Sequence, residues 1–230
     1  MLSAIIFDFD GVIVNSEPLI LKLTQEMAAQ EGWTVTSEEY YRDYLALDDR
    51  GIVEHLYRTH GRPIDLAHRD RLVAWKAHAY QEAIRNGLPS LPGAVEFVRR
   101  VAQQFPLAIA SGSLRSEVEY LLARLGLRES FQVLATAEDF EQSKPHPEVY
   151  LKALAGLQQI AAFRNAPLEP ARCLAIEDAP GGVDAAHAAG MKCLALTHTR
   201  PAQELRNADW VCDEFAQVDL ARIAAAFREG

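Results

Sequence analysis

The chain has 230 residues, 49% hydrophobic and 24% charged, with a formal net charge of −9. That composition belongs to a globular protein with ample apolar material for a core, built as one domain or as a core with a smaller insert. The acidic balance argues against general binding to nucleic acid or anionic membranes, and no apolar run approaches the ~20 residues needed to span a bilayer.

The first element is a short apolar run, Ala4 to Phe7, of the kind that forms a strand buried on both faces. Asp8 and Asp10 follow it, then Gly11. Carboxylates are costly to bury unless a metal or hydrogen bonds hold them, so a pair placed where a buried strand ends points to a site. The two share strand parity and can face the same side as the strand opens out.

Residues 17–87 read as helical. Leu19, Leu23 and Met27 mark one helix face, and Gly32 ends that run. Thr36 with Glu39 is a capping box for a second helix through about Leu47. Asp48 and Asp49 cap a third, and a fourth starts near Asp65 and ends at Asn86-Gly87. No strand pattern interrupts this stretch, so it is expected to be a small helical bundle inserted after the first strand. The expected division is a core of residues 1–16 and 88–230 with an inserted domain of 17–87.

From Gly93 onward helices and short apolar runs alternate. Strands are expected at Leu107–Ala110, Gln132–Thr136, Cys173–Ile176, Cys193–Leu196 and Trp210–Cys212, with helices between them and after Leu220. This pattern implies an α/β fold, a doubly wound, Rossmann-like parallel sheet covered on both faces. Ligands bind such sheets at the carboxyl ends of the strands. Asp8, Asp10, Ser111, Glu177 and Asp178 fall at those ends, and Lys144 lies in the loop after the 132–136 strand.

Phosphoryl transfer suits this set. A phosphate dianion repels a carboxylate nucleophile, so cations must screen the approach. Asp8 and Asp178 can hold Mg²⁺, Lys144 adds a second positive charge, and the Ser111 hydroxyl can donate to a phosphoryl oxygen. One carboxylate can attack phosphorus while the other protonates the leaving oxygen and later activates water.

Four motifs in order resemble those of the haloacid dehalogenase-like hydrolases, in the branch holding β-phosphoglucomutase-like enzymes and many small-molecule phosphatases. They are Asp8-Phe9-Asp10-Gly11-Val12, Ser111 in Ile-Ala-Ser-Gly-Ser, Lys144-Pro145, and Glu177-Asp178 running into Ala-Pro-Gly-Gly. The resemblance covers almost the whole chain and implies roles. Asp8 is the nucleophile and a Mg²⁺ ligand; Asp10 is the general acid and base, its backbone carbonyl a second ligand. Asp178 completes the protein ligands, with Glu177 nearby or acting through water. Ser111 and Lys144 bind the phosphoryl group with the Phe9 and Gly112 amides, and the helical insert is a mobile cap that shapes substrate choice. Asp48, Asp49 and Arg50 fall near where family caps contact substrate.

The expected activity is Mg²⁺-dependent hydrolysis of a small phosphorylated metabolite such as a sugar phosphate. The alternatives are a phosphosugar mutase and a non-catalytic phospho-switch or binding protein. The mutases carry a histidine ten residues after the second aspartate, where this chain has Ile20, and the dehalogenases lack the second aspartate, which Asp10 supplies here. In the insert, Lys22 and Lys76 read as exposed, and after the 193–196 strand His198 is a candidate for the rim. Cys173, Cys193 and Cys212 read as free thiols, and the chain opens directly in a strand pattern with no basic leader. A cytoplasmic protein, monomeric or a small homo-oligomer, with no nucleic-acid or membrane partner, is the expectation.

Overall fold

The structure, a computed structural model, describes residues 1–45, 47, 49–163 and 167–228. The short apolar runs form β1 (Ala4–Phe7), β2 (Leu107–Ala110), β3 (Val133–Ala135), β4 (Cys173–Glu177), β5 (Lys192–Leu196) and β6 (Trp210–Cys212). They pair in parallel in the order β3-β2-β1-β4-β5-β6, the doubly wound α/β sheet that the alternation predicts. By internal contacts the chain divides into two compact units, residues 1–15 with 88–230, and residues 16–87.

The two faces of the sheet differ in size of side chain, because strand residues alternate between faces. One face carries Ala4, Ile6, Ala108, Ala110, Ala135, Cys173, Ala175, Cys193 and Ala195, all buried. Apart from Ile6 these residues are small, and they let α7 (Glu148–Gln158) and α8 (Pro180–Ala188) lie close to the sheet, through Tyr150, Ala153 and Leu157 from one and Val183, Ala185 and Ala186 from the other. The opposite face carries large residues. Phe7 sets its ring edge-on to Phe97 of α5 (Ala94–Ala102) at 6.2 Å and to Phe131 at 5.7 Å. Phe7 is fully buried in the central strand, so Phe7→Ala leaves a cavity with little room to collapse. Urea unfolding of that variant is expected to show a loss of about 3–5 kcal/mol; a loss below ~1 kcal/mol would contradict this packing.

In the second unit, α1 (Glu17–Gln30) buries Leu23, Met27 and Ala28. The Thr36–Glu39 capping box forms and starts the one-turn α2 (Ser37–Glu39). The chain then differs from the expected regular helix to Leu47. It widens into a π-helical turn, Tyr40–Tyr44, in which Leu45 N donates to Tyr40 O at 3.1 Å. Tyr40 and Tyr44 of that turn are buried, their rings parallel at 6.4 Å, while Tyr41 between them is exposed. The third helix, α3, spans Asp49–Thr59, while the expected cap residue Asp48 lies outside the described residues. Asp65 caps α4 (Leu66–Ile84), accepting from His68 N at 2.9 Å. Ile20 packs, partly buried, against this unit's apolar cluster. Lys22 is exposed, but Lys76 is not: it is 5% exposed and paired with Asp49. A single counter-charge within one helical unit offsets the cost of burying that ammonium, and the helical periodicity alone does not reveal it. No helix among the described residues is long and apolar enough to cross a membrane.

Candidate active site

Strand register brings the acidic residues together. Phe7 pairs with Ile109 of β2 and Ile176 of β4, and Asp8 N donates to Ile176 O at 2.9 Å. The carboxyl ends of β1 and β4 are therefore level neighbours, at the point where the strand order reverses. Glu177 is the last residue of β4 and shares parity with Cys173 and Ala175, so its carboxylate points to the small-residue face, towards α7 and α8. There Tyr150 donates to Glu177 Oε1 at 2.5 Å, and Lys144 Nζ lies 2.7 Å from the same oxygen. Gly182 leaves the room for this carboxylate, since a Cβ at that position would overlap it.

Lys144 Nζ also lies 3.0 Å from Asp8 Oδ1, which accepts from Phe9 N at 2.7 Å. The Phe9 amide, expected to face a phosphoryl oxygen, thus braces Asp8, while the Phe9 side chain is buried in the core. Asp178 accepts from Thr199 Oγ1 in the loop after β5. Gly11, at φ +73°, passes so close that a Cβ would overlap the Asp178 carboxylate, and that φ itself favours glycine.

Asp10 and Ser111 are joined through a residue that the motif reading passed over. The Ser113 hydroxyl donates to Asp10 Oδ2 at 2.5 Å, and Ser113 N donates to Ser111 Oγ at 2.9 Å. The loop carrying these serines is tied to the β3 side, where Ala137 N donates to Ser113 O at 3.1 Å. Arg115 reinforces it, reaching Leu134 O at 3.0 Å and Asp139 Oδ2 at 2.6 Å. Gly112 is exposed, with open space beside it. His198 is not the rim residue of its loop. Its Nε2 is buried without a hydrogen-bond partner, and the hydroxyl of the next residue, Thr199, reaches the site.

Asp8, Glu177 and Asp178 each offer a carboxylate oxygen, all within 4.8 Å of one another. Counted as ionised, these three carboxylates and the Lys144 ammonium carry a formal charge of −2 in a largely buried space. Burial, then the nearby Asp8 and Glu177 charges, push Asp178 well above the usual carboxylate range. Burial also raises Asp8, against the pull of Lys144. Burial opposes the charge on Lys144, but Asp8 and Glu177 overcome it and hold the ammonium above the ordinary lysine range. An oxygen-only donor set with excess negative charge fits a hard divalent cation.

Carboxylates, a lysine and a hydroxyl lie at the carboxyl ends of the strands near the switch point of a parallel sheet, where α/β enzymes bind their ligands. The chain belongs to the haloacid dehalogenase-like hydrolases, whose family model matches residues 5–196. It is 30% identical over 230 residues to validoxylamine A 7′-phosphate phosphatase of Streptomyces hygroscopicus subsp. limoneus, covering 95% of this chain and 96% of that one. It is 32% identical over 205 residues to hexitol phosphatase B of Escherichia coli K12, covering 89% and 86%. Among solved structures, CbbY from Rhodobacter sphaeroides in complex with phosphate superposes with a TM-score of 0.76 at 26% identity, covering 95% and 97%. A β-phosphoglucomutase from Clostridium difficile shares the fold, with a TM-score of 0.80 at 23% identity over 100% and 98%.

Proposed function

We propose that the chain is a Mg²⁺-dependent phosphatase that hydrolyses a small phosphorylated metabolite, a sugar or polyol phosphate, through an aspartyl phosphate on Asp8. The observation that carries this reading is the placement of the Asp8 carboxylate beside Lys144, within the Asp8–Glu177–Asp178 group, in a chain that has relatives named as phosphatases along most of its length. Asp8 attacks phosphorus as the ester oxygen leaves with a proton from Asp10; Asp10 then takes a proton from the water that cleaves the aspartyl phosphate. Lys144 and the Ser111 hydroxyl hold the phosphoryl oxygens, together with the Gly112 amide. Asp8, the Asp10 carbonyl and Asp178 would hold the Mg²⁺, which when bound neutralises charge on the phosphoryl group. The helical unit takes the cap role and selects the substrate. Ile20 favours hydrolysis over the mutase reaction: it packs into that unit's apolar cluster and offers no proton relay.

The test is phosphate release from a panel of sugar and polyol phosphates, with Mg²⁺ and with a chelator. Release that needs the metal is expected. Conversion of a hexose 1-phosphate to a 6-phosphate without release would overturn the phosphatase reading in favour of the mutase.

Magnesium is also expected to raise the Tm, and the sign of the pH effect is fixed. Asp8 and Asp178 have folded pKa values above their unfolded ones, so the metal-free fold binds protons more tightly than the unfolded chain. Their contribution to metal-free stability therefore grows as pH falls through those folded values, and the same protons displace the cation. The Mg²⁺-induced rise in Tm should be largest above neutral pH and vanish in acid. Taking the difference with and without metal at each pH cancels groups such as Glu31 and Asp139, which hydrogen bonds hold low despite their partial burial. An increment that is flat with pH, or absent, would contradict the metal assignment.

A further inference from the structure

We propose that Tyr150 is a positioning residue of the phosphoryl site: its hydroxyl fixes the Glu177 carboxylate, and Glu177 in turn holds the Lys144 ammonium against Asp8. This rests on the phosphatase reading above and adds to it a residue that does not itself reach the substrate.

Glu177 is fully buried, and its Oε1 takes two donors at once, Tyr150 at 2.5 Å and Lys144 at 2.7 Å. Asp178 N approaches the other oxygen at 3.3 Å. With Gly182 against its far side, the carboxylate has little room to turn. A lysine stem has four rotatable bonds, and the ammonium of Lys144 could follow any of three nearby carboxylates. An acceptor locked by a third group removes that freedom, so the ammonium stays between Glu177 and Asp8. Tyr150 contributes twice, because its ring also lies under Lys144 Nζ, 5.2 Å from the centroid. Packing alone does not explain the residue. Tyr150 stands among Val149, Ala153 and Leu157 on an apolar helix face, where phenylalanine would fill the same space without burying a hydroxyl.

The experiment is a double-mutant cycle of Tyr150→Phe and Glu177→Gln, with kcat and KM at saturating Mg²⁺ and direct titrations with inorganic phosphate and with Mg²⁺. Tyr150→Phe keeps the ring and the packing. It should lower kcat/KM and phosphate affinity by about tenfold while Mg²⁺ affinity changes less than ~2-fold. In the Glu177→Gln background the second substitution should cost almost nothing further, since both act on one contact. The double variant also lacks the buried charge that the missing hydroxyl would strand, so it reports even where Tyr150→Phe folds poorly. Additive losses, or Glu177→Gln weakening Mg²⁺ tenfold with phosphate binding intact, overturn the proposal. If the wild type hydrolyses none of the panel, the phosphatase reading falls, and the phosphate titration still decides this inference: equal affinities in wild type and both single variants overturn it.

Discussion

Asp8→Asn is expected to lower phosphate release by ~10⁴-fold or more and to leave the fold intact, because it removes the attacking anion without changing the shape of the side chain. Asparagine is nearly isosteric, and its amide oxygen can keep the Phe9 N contact, 2.7 Å in the wild type. In charge the change is mild. It forfeits the 3.0 Å pair with Lys144 but removes one of three crowded carboxylates, and burial together with the nearby Asp10 charge already works against the ionised form of Asp8. The two effects oppose each other, so the change in unfolding free energy should stay within about 1 kcal/mol at neutral pH. Phosphate release and chemical denaturation of the same preparation separate chemistry from folding. Metal-dependent release retained within tenfold of wild type would remove Asp8 as nucleophile.

The strands and their order of chemistry were readable because buried parallel strands are near-continuous apolar runs, and because polar residues at their ends stand out against them. Asp8, Ser111 and Asp178 were visible in that way, each ending a run. The partners that orient them were not. Tyr150 lies on a helix face whose pattern is that of core, Thr199 is one hydroxyl in a polar loop, and Gly182, though it stands in the Ala-Pro-Gly-Gly motif, carries no mark of the carboxylate it makes room for. What joins them to the site is the small-residue face of the sheet, which brings α7 and α8 close enough for Tyr150 and Gly182 to meet Glu177. That proximity depends on the register of β1 and β4, a long-range property that no local window contains. Ser113 had a usable signal, standing one turn-forming glycine after Ser111. Lys76 had none, since its partner Asp49 is 27 residues away.

Lys144→Met tests the charge balance of the site as a whole and should show the largest combined effect on activity and stability. Methionine keeps the length of the stem and removes the ammonium. Glu177 is then left with a buried charge whose one remaining side-chain donor is Tyr150, and Asp8 loses its cation, so three carboxylates within 4.8 Å of one another have no fixed counter-charge. Breaking a buried pair from one side costs about 3–5 kcal/mol, because the abandoned charge stays behind. Activity should fall by about 10³-fold even at saturating Mg²⁺, since a fixed positive charge aimed at the phosphoryl oxygens has gone. Mg²⁺ itself should bind at least as tightly as in wild type, because the site has become more negative. A second substitution separates the two losses. Lys144→Met/Glu177→Gln removes one charge of each sign and restores the wild-type balance of −2. It should recover most of the lost stability in urea unfolding and none of the lost activity. A double variant no more stable than Lys144→Met would show that the ammonium matters to the fold through something other than Glu177. Activity within tenfold of wild type in either variant would take Lys144 out of the phosphoryl site.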